Sequence, residues 1–223
     1  MAGKEEKVLA EKFRIFREAN PFGFLEEQLE KIEADIQKTR NGTVSDEYVD
    51  FILWTKGLKS RQEYFAEYVE KILPLEKYQE LLDVGCGRTA GLSKLLAAKG
   101  YCMTAMDPQI IPENVTTHNI NCIKDEFVFE KTDITKYDAI VAQEPCDATE
   151  HIIRECVANR KNFVISLCGA PHRLLSGKMP QDVFVWYHYL EEIGGKNCVL
   201  IDPQMIPGYS TYMMIGIFLE DFD

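Results

Sequence analysis

LLDVGCGRTAGLSKLLAAKGYCMTAMDP, residues 81–108, has the strongest structural pattern in the chain. An apolar run of strand length leads into a glycine turn, then a stretch of helical pattern and a second apolar run that ends in an acid. Gly85 and Gly87 permit positive φ and let a ligand approach the backbone closely. The helix that starts near Ala90 offers unpaired N–H groups at its positive end. The pattern predicts that a small molecule binds at this turn.

After residue 79 the chain alternates between short apolar runs and stretches of helical pattern. The apolar runs cover residues 80–84, 101–106, about 117–123, 137–142, 163–168, 197–201 and 212–219. This alternation is typical of a parallel sheet with helices on both faces. The last two runs are joined by DPQMIPGYST, which has no room for a full helix. We therefore predict an α/β domain over residues 80–223. It is a Rossmann-like, seven-stranded, mostly parallel sheet with one antiparallel C-terminal strand.

Residues 1–79 have a helical pattern instead. Apolar residues recur at helical spacing in two segments: Leu25, Leu29, Ile32 and Ile36, then Phe65, Tyr68, Val69 and Ile72. NPFGF (residues 20–24) and RNGTVSDE (residues 40–47) separate the first three helices, and Ser60 begins a capping box for the last one, which Pro74 ends. We expect this helical N-terminal extension to act as a lid or substrate wall. Packing on the sheet and a homodimer contact are the alternatives.

Composition restricts the class of partner. The chain has 223 residues, 46% of them hydrophobic, which suits one large domain or one domain with an appendage. The net charge of −11 argues against binding a nucleic-acid backbone and favours a small-molecule substrate. No apolar run has the length of a membrane span, and the first residues lack a secretory signal, so no membrane partner is expected. Seven scattered cysteines without a CxxC pair favour a reducing cytoplasm and predict no metal site.

Two cofactors fit the glycine turn. Gly85-x-Gly87-x-x-Ala90 satisfies the G-x-G-x-x-A form of the dinucleotide fingerprint, and Asp107 stands where an acid accepts ribose hydroxyls. S-adenosylmethionine presents the same ribose but carries a sulfonium and an ammonium in place of a diphosphate. Asp83 separates the two alternatives, because a carboxylate two residues before the first glycine repels a diphosphate and attracts a cation. We therefore expect S-adenosylmethionine.

The segment DVGCGRT, residues 83–89, resembles motif I of the class I S-adenosylmethionine-dependent methyltransferases. Asp107 matches the acid that ends the second strand in that family, and the strand pattern of residues 80–220 is similar to the family's sheet. The family often has a third glycine where this chain has Thr89. The resemblance implies a methyltransferase with an S-adenosylmethionine site, for which we expect these residues: Asp83, Gly85, Cys86, Gly87, Asp107, Pro108, Asp125 and Gln143.

The remaining site predictions follow the same sheet edge. Asp125, with Glu126 as its rival, follows the third strand where a family member often has an acid that meets the adenine amino group. A solvated charged loop is the alternative. Beyond the fourth strand comes Glu144-Pro145-Cys146, which departs from the Asn/Asp-Pro-Pro-aromatic motif of enzymes that methylate amino groups on bases or glutamine. Glu144 is a candidate to accept a substrate hydrogen bond or act as a general base, and helix capping is the alternative. Cys146 is interpreted as a packed thiol.

After the fifth strand, His172 stands in a loop near the expected site and is a candidate to bind substrate or relay a proton. A solvent-exposed histidine without a role is the alternative. The predicted activity is methyl transfer to a small-molecule acceptor, with Glu144 and His172 as the catalytic candidates. Two other functions remain open at this point: a protein that binds S-adenosylmethionine without catalysis, and an NAD(P)-dependent oxidoreductase.

Overall fold

The computed structural model describes residues 2–37, 44–115 and 119–218. It divides the chain into two compact units, Met1–Arg61 and Gln62–Asp223. In this division the second unit begins at residue 62, whereas the change in sequence pattern suggested residue 80. The helices are α1 (Ala2–Ala19), α2 (Glu26–Gln37), α3 (Asp46–Thr55), α4 (Arg61–Ile72), α5 (Gly91–Ala98), α6 (Ala148–Ala158) and α7 (Val183–Gly194).

The first unit contains α1, α2 and α3, which share an apolar cluster. Its buried members come from all three helices: Phe13, Phe16, Leu29, Ile32 and Phe51. The predicted break at NPFGF is confirmed, because the amide of Asn20 both donates to the carbonyl of Phe24 and accepts from its N–H, each at 2.8 Å. Part of the predicted break at residues 40–47 lies outside the described residues. The role of this unit as a lid or substrate wall stays a prediction.

The second unit contains a seven-stranded sheet in the order β3-β2-β1-β4-β5-β7-β6. Its strands are β1 (Glu80–Val84), β2 (Cys102–Met106), β3 (Ile120–Ile123), β4 (Ala139–Gln143), β5 (Asn162–Ser166), β6 (Cys198–Ile201) and β7 (Met213–Gly216). The first five strands are parallel, and β7 runs antiparallel to β5 and β6. The predicted Rossmann-like sheet with one antiparallel C-terminal strand is confirmed. Residues 117, 118 and 219, at the ends of two predicted strands, lie outside the described residues.

Successive strand residues face opposite sides of the sheet and bury two separate cores. On one side α4 and α5 cover residues such as Leu81 and Val141, and on the other α6 and α7 cover residues such as Leu82 and Ile140. Helix α4, which sequence analysis grouped with the extension, thus belongs to the sheet. Its predicted bounds are confirmed, since it starts directly after Ser60 and ends before Pro74. Within the described residues, no helix is long and apolar enough to cross a bilayer.

Candidate functional site

A cleft of about 740 Å³ opens at the carboxyl ends of β1, β2 and β4, which the parallel order brings to one edge. This edge is where open α/β sheets bind ligands. The described lining includes most of the predicted site residues, namely Gly85, Gly87, Asp107, Pro108, Asp125 and Glu144. Asp83, Cys86, Gln143 and His172 are not among the described lining residues.

The turn requires glycine at positions 85 and 87 for two different structural reasons. Both adopt φ near +70°, which residues with a side chain rarely accept. A Cβ at Gly85 would lie 3.0 Å from the Cα of Pro145, so this glycine allows the turn after β1 to touch the turn after β4. A Cβ at Gly87 would meet no described atom within 4 Å. Because Gly87 lines the cleft, that open space is available to a ligand.

Asp107, at the end of β2, is fixed by backbone donors. One carboxylate oxygen accepts from the N–H of Gly87 at 3.0 Å, and the other accepts from the N–H of Gln109 at 2.7 Å. Each oxygen keeps a second acceptor position, so the carboxylate can still receive two hydroxyl groups from a ligand. The hydrogen bond from Gly87 to Asp107 therefore holds the glycine turn and this carboxylate in fixed positions relative to each other.

Asp83 lies behind the cleft and is only 1% exposed. Its carboxylate accepts a hydrogen bond from the hydroxyl of Ser93 on α5 at 2.6 Å. Burial raises the pKa of Asp83 to about 7, although the Ser93 bond acts in the opposite direction. The alternation of β1 explains this placement, because residue 83 points to the face that α5 covers. Asp83 therefore contributes less to the electrostatics of the cleft than its position in the sequence suggested.

The two other predicted cofactor residues outside the lining occupy different environments. Cys86 is buried in a small apolar cluster with Ala90, Ala105 and Ile110. Gln143, at the last position of β4, has a buried Oε1 for which the described residues provide no hydrogen-bond partner. A buried acceptor without a donor is costly, and a ligand that brings a donor relieves the cost.

The charge of the cleft is strongly one-sided. Its described lining contains five acidic residues and neither lysine nor arginine: Asp107, Asp125, Glu126, Glu144 and Asp147. An adjoining cavity of about 390 Å³ shares Asp125 and Glu126 and adds Asp133 together with Lys131 and Lys136. The larger cleft therefore presents a negative field to any ligand at the strand ends.

The turn after β4 is strained. Glu144 and Cys146 both have left-handed backbone conformations, with φ of 51° and 52°. For a residue with a side chain this conformation costs about 1–2 kcal/mol. Backbone strain of this kind is concentrated at functional sites, where the surrounding structure maintains it. Here the N–H of Glu144 donates to the carbonyl of Ser166 at 2.8 Å, which holds the turn against β5.

Cys146 is exposed and lies close to Cys168 and His172, so the interpretation of a packed thiol without an activating group is wrong. Its Sγ is 3.7 Å from the Sγ of Cys168. The Cys168 hydrogen bond, followed by the one with His172, lowers the pKa of Cys146 to about 5, and the same contact raises the pKa of Cys168. Hydrogen bonding to Cys146 raises the pKa of His172, whose Nδ1 lies 3.2 Å from Asp147.

His151 is a cleft residue that sequence analysis missed. It lies on the first turn of α6, where its Nδ1 accepts a hydrogen bond from the N–H of Phe129 at 3.0 Å. Burial lowers its pKa, so the neutral form predominates and the proton is on Nε2. A single histidine within a helical pattern carries no signal that would separate it from a surface residue.

No protein-family model matches the chain, and no curated protein sequence matches it. Several solved protein structures do match the fold of this chain. Magnesium protoporphyrin IX methyltransferase from Synechocystis with bound S-adenosylmethionine has 14% identity and a TM-score of 0.52, covering 93% of this chain and 97% of that chain. The putative methyltransferase solved with the Haloferax volcanii Trm112 activator has 14% identity and a TM-score of 0.51, covering 81% and 100%. A methyltransferase from Leishmania major has 16% identity and a TM-score of 0.50, covering 75% and 76%. The chain has the fold of the class I S-adenosylmethionine-dependent methyltransferases.

Proposed function

We propose that this protein is an S-adenosylmethionine-dependent methyltransferase that acts on a small-molecule acceptor. The observation that carries the proposal is the charge of the cleft, where five carboxylates line the space beside the glycine turn without a lysine or arginine among the described lining residues. A dinucleotide brings a diphosphate to this position, and its charge is repelled. S-adenosylmethionine brings a sulfonium and an ammonium, which the carboxylates attract.

The carboxylates that line the cleft, and not Asp83 alone, account for the expected preference for a cation. Asp83 is buried behind the turn, and its pKa is raised to about 7, so it is partly neutral near neutral pH. The selection against a diphosphate is instead assigned to Glu144 and Asp147, which line the cleft after β4. Because the same carboxylates repel a polyanion, they also favour a small acceptor over a nucleic acid.

Several residues at the cleft have hydrogen-bond acceptor positions or open space that suit the groups of S-adenosylmethionine. Asp107 has two acceptor positions left for the ribose hydroxyls, and Gly87 leaves the space in front of the turn open. Asp125 or Glu126 can accept from the adenine amino group. Gln143 does not line the described cleft, so its contact with the cofactor stays a prediction. When bound, S-adenosylmethionine supplies an electrophilic methyl group on a sulfonium.

The chain's own part in the reaction is mainly alignment. Holding an acceptor in line with a reactive bond supplies about 7–11 kcal/mol of barrier reduction in favourable systems. We propose Glu144 as the residue that accepts a proton or a hydrogen bond from the acceptor, since it lines the cleft in a strained and therefore fixed conformation. His172 does not line the described cleft, so its direct contact with the substrate stays a prediction; its Nδ1 lies 3.2 Å from Asp147, which does line the cleft.

The proposal is tested with methyl-labelled S-adenosylmethionine and a cell extract divided into small-molecule and macromolecular fractions. We expect label to appear in the small-molecule fraction with wild-type protein. Transfer falls in Asp107→Asn, which keeps the shape of the side chain but loses one charged acceptor. Glu113→Gln is the matched control, because this exposed acid stands near the end of β2 but outside the described cleft lining.

The outcomes separate the parts of the proposal. Label found only in protein or nucleic acid would reject the small-molecule acceptor and keep the methyltransferase. Saturable cofactor binding without transfer to any fraction would instead favour a binding protein without catalytic activity. Absence of cofactor binding would reject both.

A further inference from the structure

Two thiols and one imidazole lie together where β4 and β5 end. The Sγ atoms of Cys146 and Cys168 and a ring nitrogen of His172 all lie within 4.8 Å of one another. Cys146 follows β4, Cys168 follows β5, and His172 stands in the loop beyond, so the sheet brings together residues that are up to 26 positions apart. Nothing in the cofactor site requires this arrangement.

The separation of the two sulfurs suits a metal ion. Two thiolates bound to zinc at about 2.3 Å in a tetrahedral arrangement are about 3.8 Å apart. The Sγ atoms of Cys146 and Cys168 are 3.7 Å apart. A disulfide requires the sulfurs to approach to about 2.05 Å, so the two thiols are free, and their separation fits a hydrogen bond between them as well as two ligands of one ion.

The imidazole has the support that metal-bound histidines usually have. Nδ1 of His172 is 3.2 Å from a carboxylate oxygen of Asp147, and its ring lies against Trp186 with 5.3 Å between centroids. A carboxylate on one ring nitrogen fixes the ring and directs the other nitrogen to a cation. Trp186 is 1% exposed, so the surface that holds the ring is rigid.

The backbone around the cluster also restricts its members. Cys146 is held in a left-handed conformation, and the carbonyl of Cys168 accepts a hydrogen bond from the hydroxyl of Tyr187 at 2.8 Å. Cys168 is 8% exposed while Cys146 is open to solvent, so one ligand is anchored and the other gives a metal ion an entry path.

We propose that Cys146, Cys168 and His172 bind one zinc-like divalent cation. Two thiolates and an imidazole are the ligand types that zinc prefers, and three protein ligands leave one tetrahedral position for water or substrate. Cys146 and Asp147 also line the cleft, so that fourth position lies at its β4 side. Asp147 is a positioning residue that acts through the imidazole.

The first measurement uses the intact wild-type chain, reduced with a phosphine, treated with a chelator and desalted. Titration with Co²⁺ is expected to give one ion per chain, with the thiolate-to-cobalt absorption and the visible bands of a tetrahedral site. Added Zn²⁺ is expected to displace the cobalt. Protein that takes up no cobalt with these spectra while fully reduced would overturn the proposal.

Variants assign the ligands. Cys146→Ser and Cys168→Ser are each expected to lose the cobalt spectrum, and Asp147→Asn is expected to weaken binding by about 10–100-fold. Cys102→Ser is the matched control, because Cys102 is another exposed cysteine at the start of β2, and it should bind as wild type does. An unchanged spectrum in the Cys146 and Cys168 variants would contradict the assignment.

A second experiment uses only the wild-type chain, so it tests the metal site even if a variant does not fold. Alkylation of each cysteine is followed by peptide mass spectrometry with and without Zn²⁺. We expect zinc to protect Cys146 at least tenfold and to leave Cys102 unaffected. Equal protection of both, or none, would reject the site. The test does not depend on the cofactor: S-adenosylmethionine binding by chelator-treated protein, together with absence of a cobalt site, would overturn the metal proposal alone.

Discussion

At the β1–β2 half of the sheet edge, which contains Gly85, Gly87 and Asp107, backbone conformation and backbone N–H groups shape the site. At the β4–β5 half, which contains Glu144, Cys146, Cys168 and His172, side chains of reactive types form it. The cysteines follow the same division: the pKa of Cys86 is raised by burial, whereas that of Cys146 is lowered by its neighbours. The first half thus offers backbone groups and a fixed carboxylate, whereas the second half offers side chains that can exchange protons or bind metals.

The largest expected effect is a loss of stability when the contact between Gly85 in the first half and Pro145 in the second is disturbed. Gly85→Ala introduces an unfavourable φ and a Cβ only 3.0 Å from the Cα of Pro145, so we expect a loss of about 2–5 kcal/mol in the free energy of unfolding. Urea unfolding measures it. A change below 1 kcal/mol would show that the two turns are not in contact.

Gly87→Ala is the matched partner of that variant. It has the same sign of φ but an unobstructed Cβ position that faces the cleft, so we expect a loss of only about 1–2 kcal/mol in stability together with a clear loss of S-adenosylhomocysteine affinity. Equal effects of the two substitutions on both stability and affinity would contradict the distinction between a packing glycine and a ligand-facing glycine.

Much of the first half could be predicted from the sequence, since a glycine turn between two strands has few folded solutions. The glycines, Asp107 and the antiparallel last strand followed from local pattern. The direction of Asp83 did not, because it depends on which face of β1 lies under Ser93. The cluster of Cys146 with Cys168 could not be predicted, because it requires the alignment of β4 with β5 as well as the path of the loop beyond.

The second largest effect tests the burial of Asp83. Its pKa of about 7 in the folded chain exceeds the unfolded value, so the folded state holds its proton more tightly. Its contribution to stability is fully present below about pH 4 and is lost as pH rises through about 7. Asp83→Asn removes this dependence, and we expect the variant to gain up to about 4 kcal/mol relative to wild type between pH 4 and pH 8.

Urea unfolding of both proteins at several pH values measures the difference. The amide can still accept from the hydroxyl of Ser93, so the packing is conserved. Parallel pH profiles for wild type and Asp83→Asn would show that this carboxyl is hydrated in the folded chain.

The next largest effect is on the affinity of the β1–β2 half for S-adenosylhomocysteine. Asp107→Asn is expected to weaken S-adenosylhomocysteine binding by about 1–3 kcal/mol, because one charged acceptor becomes a donor that faces either the N–H of Gly87 or the ribose. Fluorescence or calorimetric titration gives the affinity, with Glu113→Gln as control. An affinity equal to that of wild type would remove Asp107 from the cofactor site.

The smallest effect concerns the reactivity of the second half. In chelator-treated protein, Cys146 is expected to react with iodoacetamide about tenfold faster than Cys102 at pH 6, since its thiolate predominates above about pH 5 while its intrinsic nucleophilicity is lower. The rate for Cys146 should level off above pH 6 and that for Cys102 should continue to rise. Parallel pH profiles for the two cysteines would show that His172 and Cys168 do not stabilise the thiolate.

We propose that the acidic cleft selects a cationic cofactor over a diphosphate. Isothermal titration of the wild-type chain with S-adenosylmethionine, and separately with NAD⁺ and NADP⁺, tests it most directly. We expect saturable binding of one S-adenosylmethionine per chain and no saturable binding of either dinucleotide. One-to-one binding of a dinucleotide, with no heat from S-adenosylmethionine, would contradict it.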